Sequence, residues 1–177
     1  MKDIKHQMHI DELMGVIREY DEQSLNERAE RYAFLLSLEN GKENTMFHGE
    51  IAHLAFFAAG NAYINAHFIG SVVLAQVVIE HTLNQIFFAI GEDMTRESFP
   101  NLIRKAEEKE WITNEEHEAF SILKDIRNPY VHFRNPLNKH TLLKRTLDSG
   151  KEQYEILEED AKHAITAMYK LINKTTF

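Results

Sequence analysis

The feature that most constrains the fold is the apolar stretch of residues 62–90, where apolar side chains recur at helical spacing. They fill most of the circumference of the predicted helix and leave one polar stripe, formed by Gln76, Glu80, His81, Asn84 and Gln85. These polar and charged groups would be costly in a lipid bilayer. The stretch is therefore predicted to be a core helix, and no contact with a membrane is expected.

Composition supports an all-α class. The 177 residues are 44% hydrophobic and include only 7 Gly and 3 Pro, which is few for a β-rich or disordered chain. There is no Cys, which excludes a disulfide framework and thiol chemistry. The first residues, Met1 to His6, lack the apolar core of a signal peptide, so a cytoplasmic location is expected.

A single domain with an N-terminal helical extension is predicted. Residues 1–45 are expected to form an N-terminal helical hairpin, whose second helix opens at the capping-box pattern of Ser24 to Glu27, runs to about Leu38 and ends in a loop around Gly41. Residues 46–177 are expected to form an up-and-down helical bundle that packs as one globular unit. Its helices are predicted at 47–59, with a break or bend at Gly60 and Asn61, then at 62–90, from Ser98, from Thr113, at 142–147 and at about 158–173.

The residues most indicative of chemistry lie at 126–134, in the sequence Ile-Arg-Asn-Pro-Tyr-Val-His-Phe-Arg. Asn128 is a favourable N-cap and Pro129 suits a first helical position, so a new helix is predicted to start here. That start would bring Arg127 and His132 together in the geometry of a hydrophobic staple. A permanently charged guanidinium beside an imidazole that titrates near neutral pH is a pair suited to phosphate chemistry.

The pattern Arg127-Asn128-x3-His132 resembles the signature of HEPN domains, which are small all-helical domains, often dimeric, and in many cases metal-independent ribonucleases. The resemblance covers roughly residue 61 to the C-terminus. It implies that His132 acts as general acid or base, that Arg127 stabilises the phosphate, and that Asn128 orients one of them. It also implies a supporting acid on the long helix, matched here by Glu80, and requires no metal or other cofactor.

The resemblance further implies partners. RNA would be the substrate, and two protomers would form a homodimer in which both motifs share one cleft. Toxin-like members of the family act with an antitoxin or a nucleotidyltransferase, which modifies a Tyr two residues after the His. Arg134 stands at that position here, so this modification is not expected. Tyr130 is predicted either to stack on a base or to pack in the core.

Charge supports an RNA partner locally but not globally. The net charge is −8, whereas residues 121–151 contain seven basic and two acidic residues. A local basic patch can bind a polyanion even on an acidic protein. The predicted RNA contacts are Arg134, Lys139, Lys144 and Arg145, and the alternative is an ordinary solvated loop.

Two other functions compete with the nuclease. One is a non-catalytic module that binds RNA or protein. The other is a di-metal carboxylate bundle, because Glu50 and His53, and likewise Asp160 and His163, have the spacing that lets one helix present two ligands.

Overall fold

The computed structural model describes residues 2–39 and 49–175, and its regular secondary structure within those ranges is entirely α-helical. The all-α prediction is confirmed. The helices are α1 (Lys2–Leu38), α2 (Glu50–Ile64), α3 (Phe68–Ala89), α4 (Phe99–Glu108), α5 (Asn114–Val131), α6 (Leu142–Ser149) and α7 (Gln153–Thr175).

The chain divides into two compact units, Met1–Ser37 and Leu38–Phe177. The predicted N-terminal hairpin is wrong, because α1 is one continuous helix of 37 residues. Ser24, expected to open a second helix, instead donates its hydroxyl hydrogen bond to the Tyr20 carbonyl at 2.9 Å. This bond to the preceding turn lets a serine sit inside a helix. The loop predicted around Gly41 and the helix start predicted at residue 47 lie outside the described residues.

The predicted single helix at 62–90 is also wrong, because the chain turns between α2 and α3 at residues 65–67. Ala66 has a φ of 58°, and the His67 N–H donates to the Ala62 carbonyl at 2.8 Å. A left-handed residue followed by such a bond is a common helix ending, although Gly usually occupies the position. Gly60, predicted as the break, lies inside α2 instead.

The second unit is an up-and-down bundle of α2, α3, α5 and α7. The rings of Phe68 and Tyr154 lie 5.2 Å apart, so α3 and α7 begin side by side. The Lys170 ammonium pairs with Glu115 at 2.5 Å, which places the end of α7 beside the start of α5. Helices α2 and α5 therefore run opposite to α3 and α7, as predicted for this part of the chain.

Helix α3 is at the centre of this bundle and contacts α2, α4, α5 and α7. Its fully buried side chains include Val72, Ala75, Val78, Ile79, Leu83 and Phe87. Among the described residues it is the one helix long and apolar enough to cross a membrane, with a mean hydropathy of 1.4 and 44% of that window buried in the protein. A core helix passes the same test, so this is a weak indication of a membrane span.

The remaining helices bear out most of their predictions. Thr113 and Glu116 form the expected capping box, with N–H to oxygen distances of 3.2 and 2.7 Å, and α5 begins there. Helix α4 buries Phe99, Leu102, Ile103 and Ala106. The short helix predicted at 142–147 is α6, while α7 begins at Gln153, five residues before its predicted start.

Candidate nucleic-acid interface

Helix α5 runs through the motif rather than ending before it. The predicted new helix at Asn128 is wrong, because α5 continues to Val131 with Pro129 in its last turn. The carbonyl of Asn128 accepts the His132 N–H at 3.0 Å. Because Pro129 lies close to the helix end, it removes only one backbone hydrogen bond, and the helix tolerates it.

The staple geometry predicted for Arg127 and His132 is therefore not formed. Residues five positions apart on a helix lie about 140° apart around its axis. The last turn of α5 does not by itself bring these two side chains onto one face.

Arg127 is half-buried on α5, and no described carboxylate pairs with it. Its Nε atom is buried and makes no hydrogen bond. Neither terminal nitrogen is both buried and without a hydrogen bond. Within residues 2–39 and 49–175 no ion pair involves this guanidinium. An unpaired guanidinium keeps its donors available for an anion such as phosphate.

His132 is the C-cap of α5 and is exposed, with an extended backbone at φ −129° and ψ 131°. The chain leaves the helix here, so Phe133 and Arg134 also project into solvent. Phe133 is 92% exposed. The imidazole therefore lies at an open surface that a polyanion can reach.

The loop that follows His132 is ordered by its own hydrogen bonds. The Leu137 N–H donates to the Asn135 side chain at 3.0 Å, and the Thr141 hydroxyl donates to the carbonyls of Pro136 and Asn138 at 2.5 and 2.8 Å. Such Asx-type turns fix the backbone locally. The exposed side chains of this loop are thus carried on a defined backbone.

Tyr130 points inward, into a buried network. Its hydroxyl donates to Asp160 at 2.5 Å, and Arg145 donates two further bonds to the same carboxylate, both of 2.6 Å. Asp160 is buried. Burial, followed by the charge of Asp160, raises the pKa of Tyr130, and the hydrogen bond to Asp160 raises the pKa of Arg145.

This network gives Tyr130 and Arg145 a structural role. Together with Asp160 they tie the end of α5 to α6 and α7. The Tyr130 phenol is not available to stack on a base, and the Arg145 guanidinium already has a bidentate carboxylate partner. The packing alternative for Tyr130 therefore fits the structure, and neither residue belongs to the proposed RNA contacts.

Ion pairs reduce the basic patch predicted from the sequence. Four of its seven basic residues contact acids: Lys124 with Asp125, Lys144 with Asp148, Arg145 with Asp160, and Lys151 with Glu159. Arg127, Arg134 and Lys139 have no such partner within the described residues. These three flank His132 and Phe133 in the chain. We call the five residues together the loop surface: Arg127, His132, Phe133, Arg134 and Lys139.

Glu80 lines an open cleft of about 410 Å³ together with His81, Asn84, Gln85, Phe88 and Thr95. Neither Arg127 nor His132 lines this cleft. Gln76, predicted to belong to the same polar stripe, is buried.

The residues of the di-metal alternative are used otherwise. Asp160 binds Tyr130 and Arg145, and the His163 ring contacts the Ala119 carbonyl at 3.0 Å. In the part of the chain that the structure describes, no three His, Asp or Glu side chains are grouped so that they could hold a metal ion. No observation among the described residues favours a di-metal site.

No family model, curated protein or solved structure matches this chain. The resemblance to HEPN domains therefore depends on the Arg-Asn-x3-His pattern and the order of the helices. Sequence reasoning missed Phe133, although one signal was present: an aromatic residue between His132 and Arg134, in a segment otherwise poor in apolar residues.

Proposed function

We propose that this chain is a HEPN-like RNA-binding protein that cleaves RNA without a metal ion, using the loop surface. The observation that supports this most is that the Arg127 guanidinium, with which no described acid pairs, and the exposed His132 imidazole lie five residues apart at the end of α5. The adjacent Arg134 and Lys139 add positive charge that ion pairs do not cancel. Such a combination favours binding of a phosphate backbone.

The proposed reaction is an internal transesterification. His132 accepts the proton of a ribose 2′-OH, whose oxygen attacks the adjacent phosphorus while the bond to the 5′-oxygen breaks. The leaving oxygen takes up the proton that His132 abstracted, or one from water, which yields a 2′,3′-cyclic phosphate and a 5′-hydroxyl. Arg127 stabilises the additional negative charge of the transition state, and Asn128 orients the imidazole or the phosphate.

The separation of Arg127 and His132 around α5 favours a composite site. In a two-fold dimer, Arg127 of one protomer and His132 of the other would act on the same phosphate. A homodimer is therefore part of the proposal. The supporting role expected for Glu80 stays a prediction, since the cleft that it lines contains neither residue.

The test is cleavage of unstructured RNA in the presence of EDTA. His132→Ala is expected to lower the rate by about 10²- to 10⁴-fold, the usual contribution of a general acid or base. Arg127→Ala should also lower it strongly. Matched controls are His81→Ala, an exposed histidine on α3, and Arg104→Ala, an exposed arginine paired with Glu108. Cleavage that persists in both motif variants would refute the proposed site.

A second candidate is RNA binding without cleavage, favoured by the same separation of the two side chains within one protomer. In that case wild-type protein binds RNA but leaves it intact at any protein concentration. Arg127→Ala then weakens binding, whereas His132→Ala changes it little.

A further inference from the structure

We infer that Phe133 is a platform on which an unpaired base stacks, and that the RNA bound by this chain is therefore single-stranded. This inference rests on the proposed function and names its substrate class. It concerns a residue that the transesterification chemistry does not use.

The first argument is the exposure of the Phe133 ring. At 92% it is the most exposed of the large apolar side chains in residues 9–39 and 49–175. Burying a phenylalanine side chain stabilises a folded chain, and a ring left in water does not contribute that stabilisation. No ring contact forms between it and another described aromatic side chain. The folded chain thus carries an aromatic ring that its own core does not use.

The second argument is the charge around the ring. Its chain neighbours His132 and Arg134 are exposed, and the exposed Lys139 lies in the same loop. Sites for single-stranded nucleic acid combine aromatic rings with cations that follow the backbone. The surroundings of Phe133 match that description.

The third argument concerns strandedness. In an A-form duplex the bases are already stacked, and side chains reach mainly the backbone and the 2′-hydroxyl groups. A ring such as that of Phe133 can stack only on a base that is free to splay out of its helix. A duplex would gain from the cations of the loop surface but not from the ring.

The experiment measures binding by fluorescence anisotropy, using a labelled RNA that carries 2′-O-methyl groups and so lacks the nucleophile. A short single strand of mixed sequence and its duplex are compared. Phe133→Ala is expected to weaken single-strand binding by about 5- to 150-fold, which corresponds to 1–3 kcal/mol for one stacked base. Duplex binding should stay within about twofold, because the duplex does not use the ring.

Two variants serve as controls. Phe133→Trp retains an aromatic face and should bind the single strand as tightly as wild type. Leu137→Ala removes another exposed apolar side chain of the same loop, itself 64% exposed, and should have little effect. Sedimentation of wild type and Phe133→Ala measures whether the oligomeric state is kept.

The outcomes separate this inference from the proposed function. If the single strand binds and Arg127→Ala weakens it but Phe133→Ala does not, the stacking inference is overturned while the RNA-binding proposal survives. If Phe133→Ala dissociates a dimer, the ring belongs to a protein interface and the inference is equally overturned. If neither RNA binds the wild-type protein, the proposed function fails and stacking fails with it.

Discussion

Asp160 shows how a single buried side chain can determine the roles of other residues. Its carboxylate accepts bonds from Tyr130 and Arg145, which lie 30 and 15 residues away in the chain. Each of the two donors was a candidate for RNA contact when only the sequence was considered. Their partner lies on α7, far along the chain from the motif, so no local sequence pattern indicates the pairing.

The network predicts a loss of stability at alkaline pH. Because the pKa of Tyr130 is raised in the folded protein, the unfolded chain releases its phenolic proton first as the pH passes 10.0, the ordinary value. Stability should then fall with rising pH, by about 1.4 kcal/mol per pH unit from this group. Urea unfolding on either side of that pH measures the slope.

The matched variant for this prediction is Tyr130→Phe. It lacks the titrating group but keeps the ring, so its stability should decline less steeply above pH 10.0. Other tyrosines contribute equally to both proteins and cancel. Parallel curves for the two proteins would contradict a raised pKa at Tyr130.

At the scale of the element, α5 carries a proline that its fold tolerates. Pro129→Ala should restore the backbone bond to residue 125 and stabilise the helix. Removing a proline from a helix interior is worth about 3 kcal/mol, which is an upper limit in the last turn, and about 1 is lost because the unfolded chain becomes more flexible. A net gain of up to about 2 kcal/mol in the free energy of unfolding is expected in a urea titration.

The control is Pro136→Ala, a proline in the loop after α5. There the alanine restores no helical bond, so a small loss of up to about 1 kcal/mol is expected from the unfolded state. A destabilised Pro129→Ala would show that the proline supports the end of α5 rather than straining it.

Helix starts were predictable where the signal is local. The Thr113 and Glu116 capping box forms between side chains and backbone three residues apart, so the sequence is sufficient to locate it. The similar signal at Ser24 failed because a serine hydroxyl can also bond to the preceding turn. Only the flanking residues distinguish the Thr113 pattern, which starts a helix, from the Ser24 pattern, which lies inside one.

Helix ends and ion pairs were harder to predict, because they depend on distant packing. The turn at residues 65–67 uses Ala66 in a left-handed conformation, where the sequence offers neither Gly nor Pro. The antiparallel packing of α2 on α3 selects that turn. The candidate site was predictable as a set of basic and imidazole side chains, whereas the acids that neutralise some of them lie on α7.

At the scale of the whole molecule, the proposed composite site makes a prediction about mixed subunits. Arg127→Ala and His132→Ala proteins, each inactive alone, are unfolded together and refolded. If the site takes one residue from each protomer, half of the dimers are mixed and each mixed dimer keeps one intact site. The mixture should recover roughly a quarter of the wild-type cleavage rate.

A site built within one protomer gives the opposite result. Every mixed dimer then carries one defect in each site, and cleavage stays at the level of the single variants. Refolding each variant alone provides the baseline. The absence of recovery, with mixed dimers demonstrated by differential tagging, would refute a shared site.

The ion pairs around the loop surface also affect how its charge should be measured. Cut out as a peptide, residues 121–151 would be a polycation with five net charges, whereas in the folded protein three of its cations are not neutralised by described acids. The peptide would release more counterions on binding a single strand, with a steeper salt dependence by about 0.7 per additional phosphate contacted. Affinities measured on such a fragment would therefore overestimate the affinity of the native surface for RNA, because Asp160 and Glu159 pair with that segment only in the folded chain.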